Sequence, residues 1–388
     1  MTYIKRIFVA GILGVAFFSC KDKFVPKVQS PNTGYLVVEG FINSGGGQTM
    51  ITLTRTTKLY DTASIIYDNG AQVMIESNQN QIYPLSFEGN GTYVYPPIYL
   101  DPAAQYRLRI ITEDHNQYVS DYSPVRYTPP IDSLTWKEEK GGLQIYVSTH
   151  DPTNVSKYYR WDYSETWEFH SAYLSNLKYT INSRTGDITG VKYRDSIAHK
   201  VDSSIYTCWH TTGSTTTTVA TTTDLSTNLI YTPLQFIGGG SQKLSVLYSI
   251  YAKQYAISEG AYNFYENLKK NTQNLGSIFD PQPSQLQGNI HCTTDTTLPV
   301  VGYVEVNQEQ DLRAFISNAS LGNWVYNSGC EQIVIPNKPD TLNLYGYGRI
   351  PIRPAITAGL SIVSIYASDA ECVDCTLTGT NIKPSFWP

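Results

Sequence analysis

The chain has 388 residues, with 28 Lys or Arg, 33 Asp or Glu and a formal net charge of −5. Neither sign forms long runs, so there is no basic patch for a polyanion, and nucleic acid is excluded as an expected partner. The length allows two or three domains, and 31 tyrosines beside sparse Lys and Glu suit strands with a polar exterior.

The first twenty residues read as an export signal. Lys5 and Arg6 precede an apolar run from Ile7 to Phe18. At about 12 residues the run has signal-peptide length and is too short to span a bilayer. Phe17-Phe18-Ser19-Cys20 follows, with a small residue directly before cysteine. Aromatic residues two and three places before the cut fit an ordinary A-x-A site badly. They fit a lipoprotein signal, so cleavage before Cys20 and lipidation of its thiol are expected. Residues 1–19 are then the signal peptide and 20–33 a lipidated cysteine and tether, the latter containing Pro26, Ser30, Pro31 and Asn32. Lys21-Asp22-Lys23 is a short charged tract of the kind that directs export to the cell surface. No later segment has the uninterrupted apolar run of roughly 18 residues that reads as a membrane helix.

Residues 34–128 are expected to form a β-sandwich. Tyr35–Gly40, Met50–Arg55, Ala71–Glu76 and Tyr106–Ile110 read as strands, and period-two alternation within them places one face on a core. Turn residues at Asn43–Gly47, Asp68-Asn69-Gly70 and Glu88–Gly91 separate them. Leu100-Asp101-Pro102-Ala103-Ala104-Gln105-Tyr106 has the spacing of a tyrosine corner, in which a phenol bonds upstream backbone. The same stretch is similar to fibronectin-III and to transthyretin-like modules.

Residues 129–388 are expected to form a larger β-rich domain with one packed helix. Leu143–Val147 is its clearest first strand, and Tyr158–Trp161 and Thr166–Phe169 read as aromatic-rich strands. Tyr158, Tyr159, Trp161 and Trp167 are candidate contacts for a ligand or partner, because aromatic faces stack on sugar rings and peptides. Strand alternation sends half of the aromatic set inward in any case. Asp162 and Glu165, three apart on a strand, fall on opposite faces and do not make a catalytic pair. Residues 170–240, with their threonine runs and Gly238-Gly239-Gly240, read as an irregular insertion. Lys243–Ile257 reads as a long strand. A helix follows, with Ser258 as N-cap, Glu259 in its first turn, and Ala261, Phe264, Tyr265, Leu268 and Thr272 on one face. Val300–Val306 returns to strand.

Five cysteines remain beyond Cys20: Cys208, Cys292, Cys330, Cys372 and Cys375. An oxidising envelope permits disulfides, and an odd count leaves one thiol over; spacing does not decide the pairing. Cys372-Val-Asp-Cys375 has zinc or redox spacing, but no second C-x-x-C and no paired histidines accompany it. No metal and no cofactor are expected. G-x-S-x-G, H-E-x-x-H and the P-loop are missing from the sequence, so the expectation is a protein without catalysis.

Several motifs lie together in the second half. Phe279-Asp280-Pro281-Gln282-Pro283 is followed by Gly288-Asn289-Ile290 and by Pro299-Val-Val-Gly302-Tyr303. The end reads Cys372-Val-Asp-Cys375-Thr-Leu-Thr-Gly379, continuing to Pro384-Ser-Phe386-Trp387. With Val37–Gly40, Leu53–Arg55 and Tyr158–Trp161, these resemble the Bacteroidota lipoprotein family catalogued as domain of unknown function 4249. The resemblance implies an outer-membrane lipoprotein, held by its lipid and accessory to a TonB-dependent transporter; it supplies no catalytic residues. An adhesin-like surface protein without a small ligand is the other class. Asp132-Ser-Leu134, Asp295-Thr-Thr297 and Asp340-Thr-Leu342, with Asp61-Thr-Ala63 and Asp195-Ser-Ile197, resemble the O-glycosylation site of such envelope proteins. The same pairs are also ordinary turn chemistry.

Overall fold

The structure, a computed structural model, describes residues 34–57, 65–194, 203–215, 217–273, 288–359 and 361–388. Cys20, the Phe279–Pro283 motif, and the Asp61 and Asp195 sites lie outside the described residues. The fold is mainly β, with three helices among the described residues.

The first body is a sandwich. Leu36–Asn43 pairs antiparallel with Thr49–Arg55, which pairs in turn with Thr92–Tyr95. The opposing sheet joins Gln72–Ser77, Gln105–Ile111 and Gln117–Ser120. Inward residues alternate as expected: Leu36, Val38, Ile51, Leu53, Val73, Ile75, Leu108 and Ile110 make the core. The tyrosine corner is formed. The Tyr106 hydroxyl accepts from the Asp101 amide at 2.9 Å and donates to the Asp101 carbonyl at 3.3 Å, and the ring is buried.

This sandwich is not complete at residue 128. Ile290–Cys292 pairs with Gln117–Ser120, and Val300–Val301 runs parallel to the start of Leu36–Asn43. Val306–Asn307 then inserts between Leu36–Asn43 and Ser123–Arg126, parallel to both. Ile290, Cys292, Val300, Val304 and Val306 enter the first core. The division at 128/129 is therefore corrected: the strand expected over Val300–Val306 is two short pieces that seal the N-terminal sandwich. The physical reason is an open strand edge, whose unpaired amides and carbonyls need partners that residues 34–128 do not supply.

The second body packs the three-stranded sheet Ile131–Glu139, Gly142–His150, Leu229–Gly238 on a sheet ordered Thr207–Gly213, Tyr158–His170, Leu247–Ile257, Gln310–Ser317. Tyr158–Trp161 and Thr166–Phe169 are parts of one 13-residue strand. The 170–240 stretch is corrected from irregular insertion to structural element. It supplies three strands of this sandwich, Thr207–Gly213, Thr218–Thr221 and Leu229–Gly238, and the hairpin Leu177–Ile181/Ile188–Tyr193. The hairpin shares a small core with Ile333–Pro336, Ser361–Asp369 and helix Pro339–Tyr345. Threonine-rich strands have little apolar alternation, so periodicity does not reveal them.

Two disulfides tie the C-terminal segment down. Cys375 bonds Cys208 on the strand Thr207–Gly213, and Cys372 bonds Cys330. The two cysteines of the C-x-x-C pattern thus join two different partners, and neither is paired with the other. Cys292 is the thiol left over, buried in the first core. The terminal Trp387 packs back as expected for an apolar end: it is 6% exposed, its indole N–H donates to Glu168 at 3.0 Å, and its ring meets Phe315 edge-on.

Two measurements check this architecture. Tyr106→Phe leaves the Asp101 amide without its partner and is expected to cost about 1–3 kcal/mol, read as a lower urea midpoint with unchanged slope. Alkylation followed by mass mapping is expected to give the peptides Cys208–Cys375 and Cys330–Cys372, with Cys292 modified only after denaturation; label on native Cys292 contradicts its burial.

Candidate functional site

The two bodies face each other across a cleft of about 580 Å³. Its formation begins with the strand Leu36–Asn43, which carries apolar residues on both faces, with Glu39 exposed between Val37 and Phe41. Leu36, Val38 and Ile42 enter the core, and Val37 and Phe41 point the other way into the cleft beside Met50 of the next strand. A strand with apolar residues on both sides is covered on both sides.

The helix Glu259–Gln273 closes one end. Ser258 is its N-cap, with the hydroxyl oxygen accepting from the Ala261 amide at 3.0 Å. Ala261 and Phe264 are buried, and Phe264, Tyr265 and Leu268 line the cleft, as the helical spacing predicts. The helix start is seated on the returning segment of the chain. Glu305, 7% exposed, accepts from the Ser258 amide at 3.1 Å, and the Tyr303 hydroxyl lies 3.4 Å from the Ser258 hydroxyl. A carboxylate here also complements the helix dipole.

The Gly288-Asn289 and Gly302-Tyr303 motifs now have a physical account. Asn289 spans the loop: its side-chain NH₂ donates to the Val304 carbonyl at 2.8 Å and its oxygen accepts from the Val304 amide at 2.9 Å. A Cβ on Gly288 would run into the Gly302 carbonyl oxygen, and one on Gly302 would run into the Val38 carbonyl oxygen. These close approaches hold residues 302–305 as a bulge against the first sheet and present Tyr303 to the cleft and the helix.

The second body contributes the polar wall. Arg160 and Asp162 project from Tyr158–His170, and Lys253 and Tyr255 from Leu247–Ile257. The Arg160 guanidinium packs against Tyr255 and Tyr265, 4.5 and 4.9 Å from their ring centres. It donates to the Tyr265 hydroxyl at 2.5 Å and to Asp162 at 2.8 Å. Lys253 pairs with Glu309 at 2.9 Å, and the Tyr255 hydroxyl donates to Glu309 at 2.8 Å. Burial pushes the Tyr255 phenol up, and the Glu309 and Asp162 carboxylates push it further, so it remains a hydroxyl donor. Burial also holds the Tyr265 phenol up, against the opposing pull of Arg160.

None of the four expected aromatic contacts lines this cleft. Tyr159 and Trp161 are buried in the second core, where the Trp161 N–H donates to Gln254 at 2.7 Å. Trp167 packs at the edge of the same core and stacks on His210. Tyr158 faces the cleft side but packs against Tyr262 of the helix. The candidacy of Tyr159 and Trp161 is thereby corrected: their strand positions face the second sheet, where their large apolar area is removed from water. The residues between and beyond them, Arg160 and Asp162, are the ones that reach the cleft. Glu165 lies on the opposite face from Asp162, 3% exposed, bonded to Lys243 at 2.7 Å and Tyr248 at 2.6 Å. The available signals were a strand with apolar residues on both faces and a helix with an aromatic stripe, not the density of aromatics.

The fold defines a mainly β protein of two sandwiches with a cleft between them. More narrowly, the chain belongs to the family described as Domain of unknown function (DUF4249), whose family model matches residues 21–313. That span ends in Gln310–Ser317, so it covers the cleft and leaves the C-terminal motif around Cys372–Trp387 beyond it. None of the curated proteins compared matches the chain. Among solved structures, the chicken interferon gamma receptor alpha chain is 11% identical over 58% of this chain and 89% of its own, with a TM-score of 0.14. A likeness at that level carries no argument.

Asn289→Ala removes both bonds to Val304 and is expected to destabilise by about 1–3 kcal/mol for each backbone group left unpaired. Denaturant unfolding measures it; an unchanged midpoint contradicts the role given to Asn289.

Proposed function

We propose that the protein is a non-catalytic lipoprotein of a bacterial outer membrane, held by acyl chains on Cys20 and displayed at the cell surface. There it captures a ligand as the accessory of a TonB-dependent transporter. The observation that carries the reading is the cleft. It has the volume of a small-molecule site, roughly 300–1,000 Å³ in typical cases, and it is walled by residues of both bodies. The signal ending at Cys20 supports the anchor, and the family resemblance supports the transporter as partner.

The physical logic is tethering. Each buried acyl methylene contributes about 0.8 kcal/mol, and more than one chain makes anchoring stable. Residues 20–33 span at most about 45 Å when extended. A cleft on so short a leash stays at high effective concentration beside a transporter in the same membrane.

Two experiments test it. Intact-mass analysis of the membrane-purified protein is expected to show a chain starting at an acylated Cys20, and Cys20→Ser is expected to release the protein from the membrane fraction. A mature chain that keeps its first nineteen residues defeats the anchor. Native co-purification in mild detergent is expected to recover a TonB-dependent receptor; recovery of none from a verified lipoprotein defeats the partnership.

A further inference from the structure

The wall contributed by the second body is a row of alternating charge. Asp162 and Lys253 lie directly opposite on neighbouring strands, and Arg160 stands two residues from Asp162 on the same face. Arg160 pairs with Asp162 at 2.8 Å and Lys253 with Glu309 at 2.9 Å. The row has no net charge, yet it keeps bonding capacity: the side chains of Asp162 and Lys253 are 38% and 39% exposed. The facing wall presents Val37, Phe41 and Met50, interrupted by Glu39, Gln48 and Thr52, and Phe264 and Leu268 close the end.

This arrangement discriminates among ligands by charge. An anion has to draw Lys253 or Arg160 away from a carboxylate already in bonding contact, and the exposed Glu39 at the cleft repels it. A cation has to displace Arg160 from Asp162 or Lys253 from Glu309, and Glu39 alone is left to attract it. A wholly apolar ligand strips water from the charged row and returns no hydrogen bonds, which is costly. The class left has an uncharged hydrogen-bonding edge and an apolar face. A pyranose ring has both. Each sugar hydroxyl donates one bond and accepts others, so adjacent hydroxyls can give to Asp162 and take from Lys253. The ring C–H face then lies on the aromatic and aliphatic wall.

We infer that the cleft binds a neutral saccharide, with the Arg160–Asp162–Lys253–Glu309 row holding its hydroxyl edge and the Val37–Phe41–Met50 wall holding its apolar face. The inference rests on the capture reading above and adds the ligand class to it.

Isothermal titration of the detergent-purified mature lipoprotein tests it, with three probe sets: neutral tetraoses (cello-, xylo-, manno- and malto-), tetragalacturonate, and charged tetrapeptides. At least one neutral tetraose is expected to bind, with tetragalacturonate at least about tenfold weaker. Asp162→Asn and Lys253→Met are each expected to weaken that binding about tenfold, the scale of one hydrogen bond to a charged group. Both side chains are more than a third exposed, and an unchanged thermal midpoint verifies that the variants fold. Binding of the uronate or a peptide that is sensitive to these substitutions overturns the saccharide and leaves capture standing. Tetraose binding indifferent to both substitutions overturns the cleft as its site. Silence from every probe counts against the saccharide and the capture reading together.

Discussion

The structure depends on one clamp, the pair of hydrogen bonds from the Asn289 side chain to the backbone of Val304. Residues 302–305 leave the strand pairing that Val300–Val301 begins and Val306–Asn307 resumes. Such a bulge carries backbone groups that have lost their ladder partners, and burial makes each one expensive unless something else bonds it. Asn289 supplies a donor and an acceptor at the right spacing, and Gly288 and Gly302 let the backbones meet where a side chain would collide. Tyr303 and Glu305 are thereby fixed in space, and on them the helix start at Ser258 is seated.

The consequence reaches both bodies. The returning segment seals the first sandwich, whose edge strand otherwise shows bare amides and carbonyls, and it joins that sandwich to the second through the helix. On one strand the second body turns Tyr159 and Trp161 inward and Arg160 and Asp162 outward. The first turns Val37 and Phe41 outward. When the two are brought together, a face carrying Val37, Phe41 and Met50 around Glu39 meets a charge-paired face, and the space between them is the cleft. Ion pairs this exposed contribute about 1 kcal/mol or less each to stability.

Local rules were legible in the residues. The Leu100–Tyr106 corner, the Ser258 cap, the helix face through Phe264 and Leu268, and the alternation of the first strands follow from chemistry within a few neighbours, and each formed as its spacing requires. The errors share a different cause. The 170–240 region lacks apolar periodicity because threonine-rich strands draw their stability from partners far away, as Thr207–Gly213 does from Tyr158–His170. The aromatic strand suggested a platform because the order of residues shows which ones share a face but not which face meets solvent.

By itself, the sequence determined the class of the molecule: a chain rich in alternating strands, one capped helix and an odd number of cysteines beyond Cys20. Those follow from periodicity, from capping chemistry and from counting. Only the tertiary structure decided that residues 290–307 close the first sandwich, that Cys208 meets Cys375 and Cys330 meets Cys372, and that Arg160 and Asp162 rather than Tyr159 and Trp161 face the cleft. Each of those outcomes is a pairing between segments distant in the chain. Such pairings are settled by which surfaces exclude water together, a property of the assembled sheets that no short stretch of residues carries.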